Sequence, residues 1–178
     1  AHSAYGSQTF LFVLGNHEFW EFPDLSVEHI TDKYRKLLEE HGMYLLQNDL
    51  FYKNEFDDMG IIPYAELEQM TNAELTERLR CSRLVVFGGT GFSGCNVEFN
   101  ANNGIYWNTV DRETEIQESK KFDNLYQKLL PVLDQKNTVI FTHTPQKDWS
   151  SNPKSHAKFV YVSGHTHRNV FYDDGEER

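Results

Sequence analysis

The segment Thr9 to Leu14, TFLFVL, is a continuous apolar run stopped by Gly15, with the length and texture of a strand buried on both faces. Thr138 to Phe141 repeats the pattern and leads into His143. Phe159 to Val162 leads through Ser163 and Gly164 into His165, and Arg83 to Phe87 ends in a glycine-rich turn. Each predicted strand therefore delivers polar residues at its carboxyl end. Helices fall between them. Ser26 caps a helix whose apolar positions Val27, Ile30, Tyr34, Leu37 and Leu38 recur at three- and four-residue steps, with Gly42 as its stop. Thr71 and Glu74 form a capping box before a short helix through Leu75 and Leu79. From Asp111 to Leu130 an acidic start suits the positive end of a helix dipole; Phe122, Leu125 and Leu129 then share one face, and Pro131 closes the helix. Asn103-Gly104 and Asp174-Gly175 read as hairpin turns, the second without a complete return strand. This alternation predicts an α/β chain built on a mixed sheet with helices outside.

The chain of 178 residues reads as one domain spanning 1–178, and a chain near 150 residues buries roughly 68–70% of the surface its unfolded form exposes. Hydrophobic residues at 39% and charged ones at 25% exclude disorder and fibre. No run approaches the roughly 18 continuous apolar residues of a membrane helix. The start AHSAYGSQTF has neither a basic nor an apolar region of targeting type, so a cytoplasmic location without membrane contact is expected. Cys81 and Cys95 form no framework and are expected to be reduced structural thiols. With 17 basic against 27 acidic side chains, a net charge of −10, the chain disfavours nucleic acid as a partner. A small phosphorylated ligand remains open if a metal supplies positive charge, and three of the eight histidines crowd the last third as His143, His165 and His167.

Gly15-Asn16-His17-Glu18 directly follows a predicted strand, where open α/β sheets place ligands. Alone it reads equally as a turn with a packed histidine, and the same holds for Thr142-His143-Thr144-Pro145. Gly164-His165-Thr166-His167 is more specific. In an extended segment His165 and His167 point the same way, about 6.6 Å apart along the chain, and each reaches one ion of a pair spaced about 3.5–4 Å. Imidazole selects zinc, iron or manganese over calcium. A rival pattern, G-x-G-x-x-G over Gly89 to Gly94 with Asp111 downstream, is followed by CNVEFNANNGIYW. Its asparagines and Asn-Gly turn cannot start the helix that a phosphate cradle needs, so the glycines read as a loop flanking the cleft. No Gly-x-Ser-x-Gly elbow is present. His2, His29, His41 and His156 read as surface residues, with His29 and His41 on a helix; Arg168 reads as exposed, and Glu18 either orients a neighbour or is solvated.

In the order GNHE, THTP, GHTH, the three turns resemble the last three signature blocks of the calcineurin-like metallophosphoesterase family, over Phe10 to Glu18 and Val139 to Arg168. The resemblance implies a mixed α/β fold, a metallophosphoesterase-like two-sheet sandwich flanked by helices, with a binuclear metal centre at the strand ends. It makes Asn16, His143 and His165 ligands of one divalent transition-metal ion (Mn, Fe or Zn), His167 a ligand of the other, and His17 the general acid. The implied reaction is metal-dependent hydrolysis of a phosphomonoester or phosphodiester by a metal-bound hydroxide. The family's Asp-x-His and Gly-Asp-x-x-Asp blocks do not occur in this sequence. The expectation is therefore a partial domain, incomplete at its front and past Arg178. It would hold at most one ion, weakly, in place of the family's two, and turn over a small soluble phosphorylated substrate slowly. A sheet short of its central strands is expected to self-associate or accept a partner strand. The competing expectation is a non-catalytic phosphoesterase-like domain that binds metal, ligand or a partner chain.

Overall fold

A computed structural model describes residues 8–96, 110–152 and 158–167, with the strand backbones of 172–173 and 176–177. Its centre is strand β5, Ser82–Gly89, where the run Val85, Val86, Phe87 is buried on both faces. The main sheet has the order β4-β3-β5-β6-β7. Parallel to β5 run β6, Thr138–Thr142, and then β7, Val160–Ser163, at the edge. On the other side β3, Asp49–Asn54, pairs antiparallel and turns back into β4, Met59–Ile62. The three predicted runs at 83–87, 138–141 and 159–162 thus form neighbouring parallel strands. The β3–β4 hairpin has no Asn-Gly or Asp-Gly pair. Its turn is made by Asn54 Oδ1, which accepts the N–H groups of Phe56 and Asp58 at 2.9 Å each, and by Asp57 at φ 66°.

One face of this sheet carries Leu50, Phe87 and Ile140 against Phe122, Leu125 and Leu129 of a long helix, with Leu67 and Leu75 completing the core. Phe87 stacks on Phe122 at 4.5 Å between ring centroids. The opposite face, Phe51, Val86, Val139 and Phe141, meets Leu11, Val13 and Leu46. These come from a second, two-stranded sheet in which β1, Leu11–Phe12, pairs parallel with β2, Tyr44–Leu45. Its outer side packs Leu14 and Leu45 against Phe19 and Ile30. The architecture is mixed α/β with helices outside two sheet layers, as the resemblance implies.

The helices follow their caps. Helices α1, Asn16–Glu21, and α2, Val27–Glu39, follow β1. Ser26 Oγ accepts the His29 N–H, and Gly42 at φ 71° lets its own N–H reach Glu39 O at 3.0 Å while Met43 N–H reaches Leu38 O at 2.9 Å. His41 lies beyond this helix rather than on it. Helices α3, Tyr64–Gln69, and α4, Asn72–Leu79, follow β4, and Thr71 with Glu74 closes the expected capping box. The long helix α5, Arg112–Leu129, starts at Asp111, whose carboxylate accepts Thr114 N–H at 2.9 Å. A four-residue helix α6, Gln146–Trp149, follows Pro145.

Two expectations are corrected. The run TFLFVL is not buried on both faces: only Leu11–Phe12 is strand, and Phe10 and Phe12 are 42% and 38% exposed. Among the described residues β1 has one partner, itself two residues long, and the outer layer covers that face only at Leu14. The hairpin near the end does have its return strand, because β8, Tyr172–Asp173, pairs antiparallel with β9, Glu176–Glu177. The glycine-rich segment past Gly89 is the expected loop, and its glycines also serve packing: a Cβ on Gly91, at φ 78°, would lie 2.8 Å from Thr144 Oγ1, and one on Gly94 would collide with the backbone of Ile116. Asn103-Gly104, His2, His156 and Arg168 lie outside the described residues. Cys81 and Cys95 are free thiols. No helix among the described residues is long and apolar enough to cross a membrane.

Candidate functional site

Three strand ends deliver three polar side chains to one place. Asn16 opens α1 just past β1, His143 follows β6, and His165 stands two residues beyond β7. The Gly164 N–H donates to His143 O at 3.0 Å and ties the last two turns together. Asn16 is 4% exposed, and its Oδ1 lies 2.9 Å from His143 Nε2 and 3.4 Å from His165 Nδ1; the two nitrogens are 3.2 Å apart. Gly15 permits the approach, since a Cβ there would sit 2.6 Å from His143 Cε1 and 2.7 Å from Nδ1. Glu18 takes the orienting one of its two expected roles: it accepts the Gly15 N–H at 2.7 Å and so caps the first turn that carries Asn16.

The donor triangle fits a single cation. Metal–ligand bonds of about 2.0–2.2 Å place neighbouring donor atoms about 3.0–3.4 Å apart, close to the 2.9, 3.2 and 3.4 Å observed. All three donors are neutral groups. Among the described residues no three His, Cys, Asp or Glu side chains gather in such a group; the third donor here is an amide.

His167 does not join this triangle. Strand β7 stops at Ser163, and the following turn sets His165 at φ 62° and His167 at φ 53°, with Thr166 N–H donating back to Gly164 O at 2.7 Å. These left-handed conformations replace the extended segment expected from the sequence. His167 is exposed, and none of the hydrogen bonds linking Asn16, His143 and His165 includes it. His17 is also exposed, tilted against Trp20 at 4.8 Å between centroids. The charges of both nevertheless act on His143 and His165.

Burial first, then the fields of His165, His17 and His167, holds the His143 imidazole down at about 4, from its ordinary 6.5. Burial also lowers His165. Both rings are thus neutral at neutral pH, the form that ligates metals. In the cation-free chain the unfolded state binds more protons than the folded one between about 4 and about 6.5. Stability should therefore be complete above that window and fall as pH drops through it. Urea midpoints measured across these pH values should decline toward acid in the wild type and decline less in His143→Phe.

Beneath the site a buried threonine network holds the THTP turn in place. Thr144 Oγ1 donates to Phe92 O at 2.5 Å, Thr142 Oγ1 to Thr144 O at 2.7 Å, and Thr90 Oγ1 to Gln47 Oε1 at 2.8 Å. Sequence reasoning missed one further charged group near the histidines, Asp148 on α6. It is 4% exposed, accepts the Asn96 amide at 2.5 Å, and has its carboxyl pushed up by burial. An acid three residues past Pro145 was the available signal, but its neighbours depend on the fold of α6.

Comparison with known families gives one result. The calcineurin-like phosphoesterase model matches residues 1–169. No curated protein and no solved structure matches the chain. That family hydrolyses phosphoesters and is generally dependent on divalent metal ions, which agrees with a triangle of neutral metal-type donors at the carboxyl ends of strands. The chain belongs to the calcineurin-like phosphoesterase family.

Proposed function

We propose that this chain hydrolyses a small, soluble phosphorylated substrate in the cytoplasm, a phosphomonoester or phosphodiester, with one divalent transition-metal ion held by Asn16, His143 and His165. The observation that carries this reading is the donor triangle with its edges of 2.9, 3.2 and 3.4 Å. When bound, such an ion supplies Lewis acidity toward phosphoryl oxygens and acidifies bound water. The chain's own contribution is placement. Its neutral donors leave the cation's charge undiminished, so a phosphate can approach a protein of net charge −10.

His17 is assigned the proton that the departing alkoxide requires; it stands exposed beside the triangle with Trp20 against one face. His17→Ala should lower turnover by about 10²–10⁴-fold while the cation dissociation constant, read by calorimetry, stays within about threefold because the ring is not a donor. His167 is the residue available to a second ion, and a single imidazole without further donors would hold that ion only weakly.

The deciding experiment incubates the purified chain with Mn²⁺, Fe²⁺ or Zn²⁺ and an activated phosphomonoester or diester. Turnover that disappears in Asn16→Ala supports the enzyme reading. Cation binding without turnover supports the second reading, a non-catalytic domain that holds a cation and a ligand. Absence of both binding and turnover overturns both. The exposed Val160 and Val162 of edge strand β7, with Phe12 on β1 and Phe10 just before it, support association with a second copy or a partner strand; sedimentation velocity reads it directly.

A further inference from the structure

We propose that Trp20 determines substrate specificity by stacking against a flat aromatic group on the ester side of the substrate, so that the substrate class is an aryl or nucleoside phosphoester. This rests on the phosphoester reading above and names the substrate of the same site. Helix geometry leads to it. Helix α1 carries Asn16, His17 and Trp20, and residues three and four apart on a helix are surface neighbours with Cβ atoms about 5–6 Å apart. Trp20 therefore stands one turn beyond both Asn16 and His17. Helical side chains lean toward the N-terminus, which directs the indole back over the turn that carries the donor. The ring contact agrees with this lean: the indole and the His17 imidazole are 4.8 Å apart between centroids, tilted by 42°.

Burial separates Trp20 from the other aromatic residue of the helix. Phe19 is 0% exposed, packs on Phe92 at 5.5 Å between centroids and so anchors α1 to the core. Trp20 is 37% exposed, at the rim of a site whose Asn16 is 4% exposed. The exposed part of the indole adds nothing to that anchoring. A phosphoester whose phosphoryl oxygens meet the cation would present its leaving oxygen to His17, in the role assigned above. The group esterified to that oxygen then comes beside the ring that touches His17. An indole pairs with flat π-systems in offset or edge-on geometry, and every nucleobase offers one. Such a contact adds affinity without a cationic side chain, on a chain of net charge −10.

The test compares benzylphosphonate with ethylphosphonate, probes in which a CH₂ replaces the ester oxygen, by calorimetry on the Zn²⁺-loaded chain. The wild type should bind the benzyl probe about tenfold more tightly. That preference should be lost in Trp20→Ala and largely kept in Trp20→Phe. In ¹⁵N-tryptophan-labelled protein the Trp20 indole N–H, identified by its disappearance in Trp20→Phe, should move with benzylphosphonate and stay in place with ethylphosphonate. Turnover of phenyl phosphate and of adenosine 5′-monophosphate distinguishes the two sources of the ring: the ester whose kcat/KM falls about tenfold in Trp20→Ala carries the stacking group. The proposal is overturned if Trp20→Ala keeps the wild-type preference, or if it weakens both phosphonates equally, since an equal loss describes a residue that only props His17 or the helix. Should Trp20→Ala fail to fold, the same comparison in Trp20→Leu, which keeps apolar bulk without a π-face, decides. A wild type that binds no Zn²⁺, or neither phosphonate, ends the phosphoester reading and this one with it, whereas equal binding of the two phosphonates by the wild type ends only the role of Trp20.

Discussion

Gly15→Ala is expected to abolish the cation binding proposed for Asn16, His143 and His165. The added methyl would sit 2.6 Å from Cε1, 2.7 Å from Nδ1 and 3.1 Å from Nε2 of His143. Those atoms belong to a ring already held by Asn16 and His165, so the imidazole must leave its place or β1 must retreat from β6. The backbone at Gly15, φ −106°, is one that alanine adopts freely. The whole effect is therefore steric and local. Moving a ligand should weaken cation affinity by more than the roughly 10–100-fold that follows loss of a mere orienting partner. Overpacking should lower stability by about 1–3 kcal/mol. Calorimetric titration with Zn²⁺ or Mn²⁺ alongside a urea melt separates the two effects. A variant that binds as tightly as the wild type would show that His143 is not held where the structure places it.

Asp49→Ala should produce the largest loss of stability. This carboxylate is 1% exposed and accepts three donors: Arg35 Nη1 at 3.1 Å, the Gln47 N–H at 3.0 Å and the Tyr64 N–H at 2.8 Å. It thereby pins α2, the bend after β2 and the start of α3 to one point. Removing it strands a guanidinium and two buried amides, at a cost of about 3–5 kcal/mol. At about 2–4 °C per kcal/mol for a chain of this size, the melting temperature should fall by about 6–20 °C. The pair Arg35→Met with Asp49→Leu should recover part of this, because the uncompensated charge goes with its partner. A single-variant loss below about 1 kcal/mol would contradict the buried placement of this carboxylate.

Much of the fold was legible in the sequence where neighbours bury both faces of a run or where a cap chemistry is specific. Arg83 to Phe87 and Thr138 to Phe141 qualify on the first count, and Ser26, Thr71 and Asp111 on the second. The stretch from Tyr44 to Gln69 was not legible, because its hairpin turns on Asn54 and a left-handed Asp57 rather than on an Asn-Gly or Asp-Gly pair. Helices α1 and α6 were also hidden. Each is six residues or fewer and begins after a residue, Gly15 or Pro145, that signals a turn equally well. At the site, the ordering of the three motifs located Asn16, His143 and His165, which meet. The assumption of an extended Gly164–His167 failed at backbone level, where His165 and His167 both take positive φ angles in a turn.

The three donors also come from different layers. Asn16 rides on the two-stranded sheet, whereas His143 and His165 ride on the five-stranded one, and these layers meet through apolar contact at Leu11, Val13 and Leu46. A cation gripped by all three would act as a clasp across that seam. Loading it to a hundredfold excess over its dissociation constant would add about 2.7 kcal/mol against separation of the layers. Chelation, conversely, would loosen the joint before it melted either sheet, so amide exchange should quicken first in Leu11 to Leu14 and only later in Val85 to Phe87.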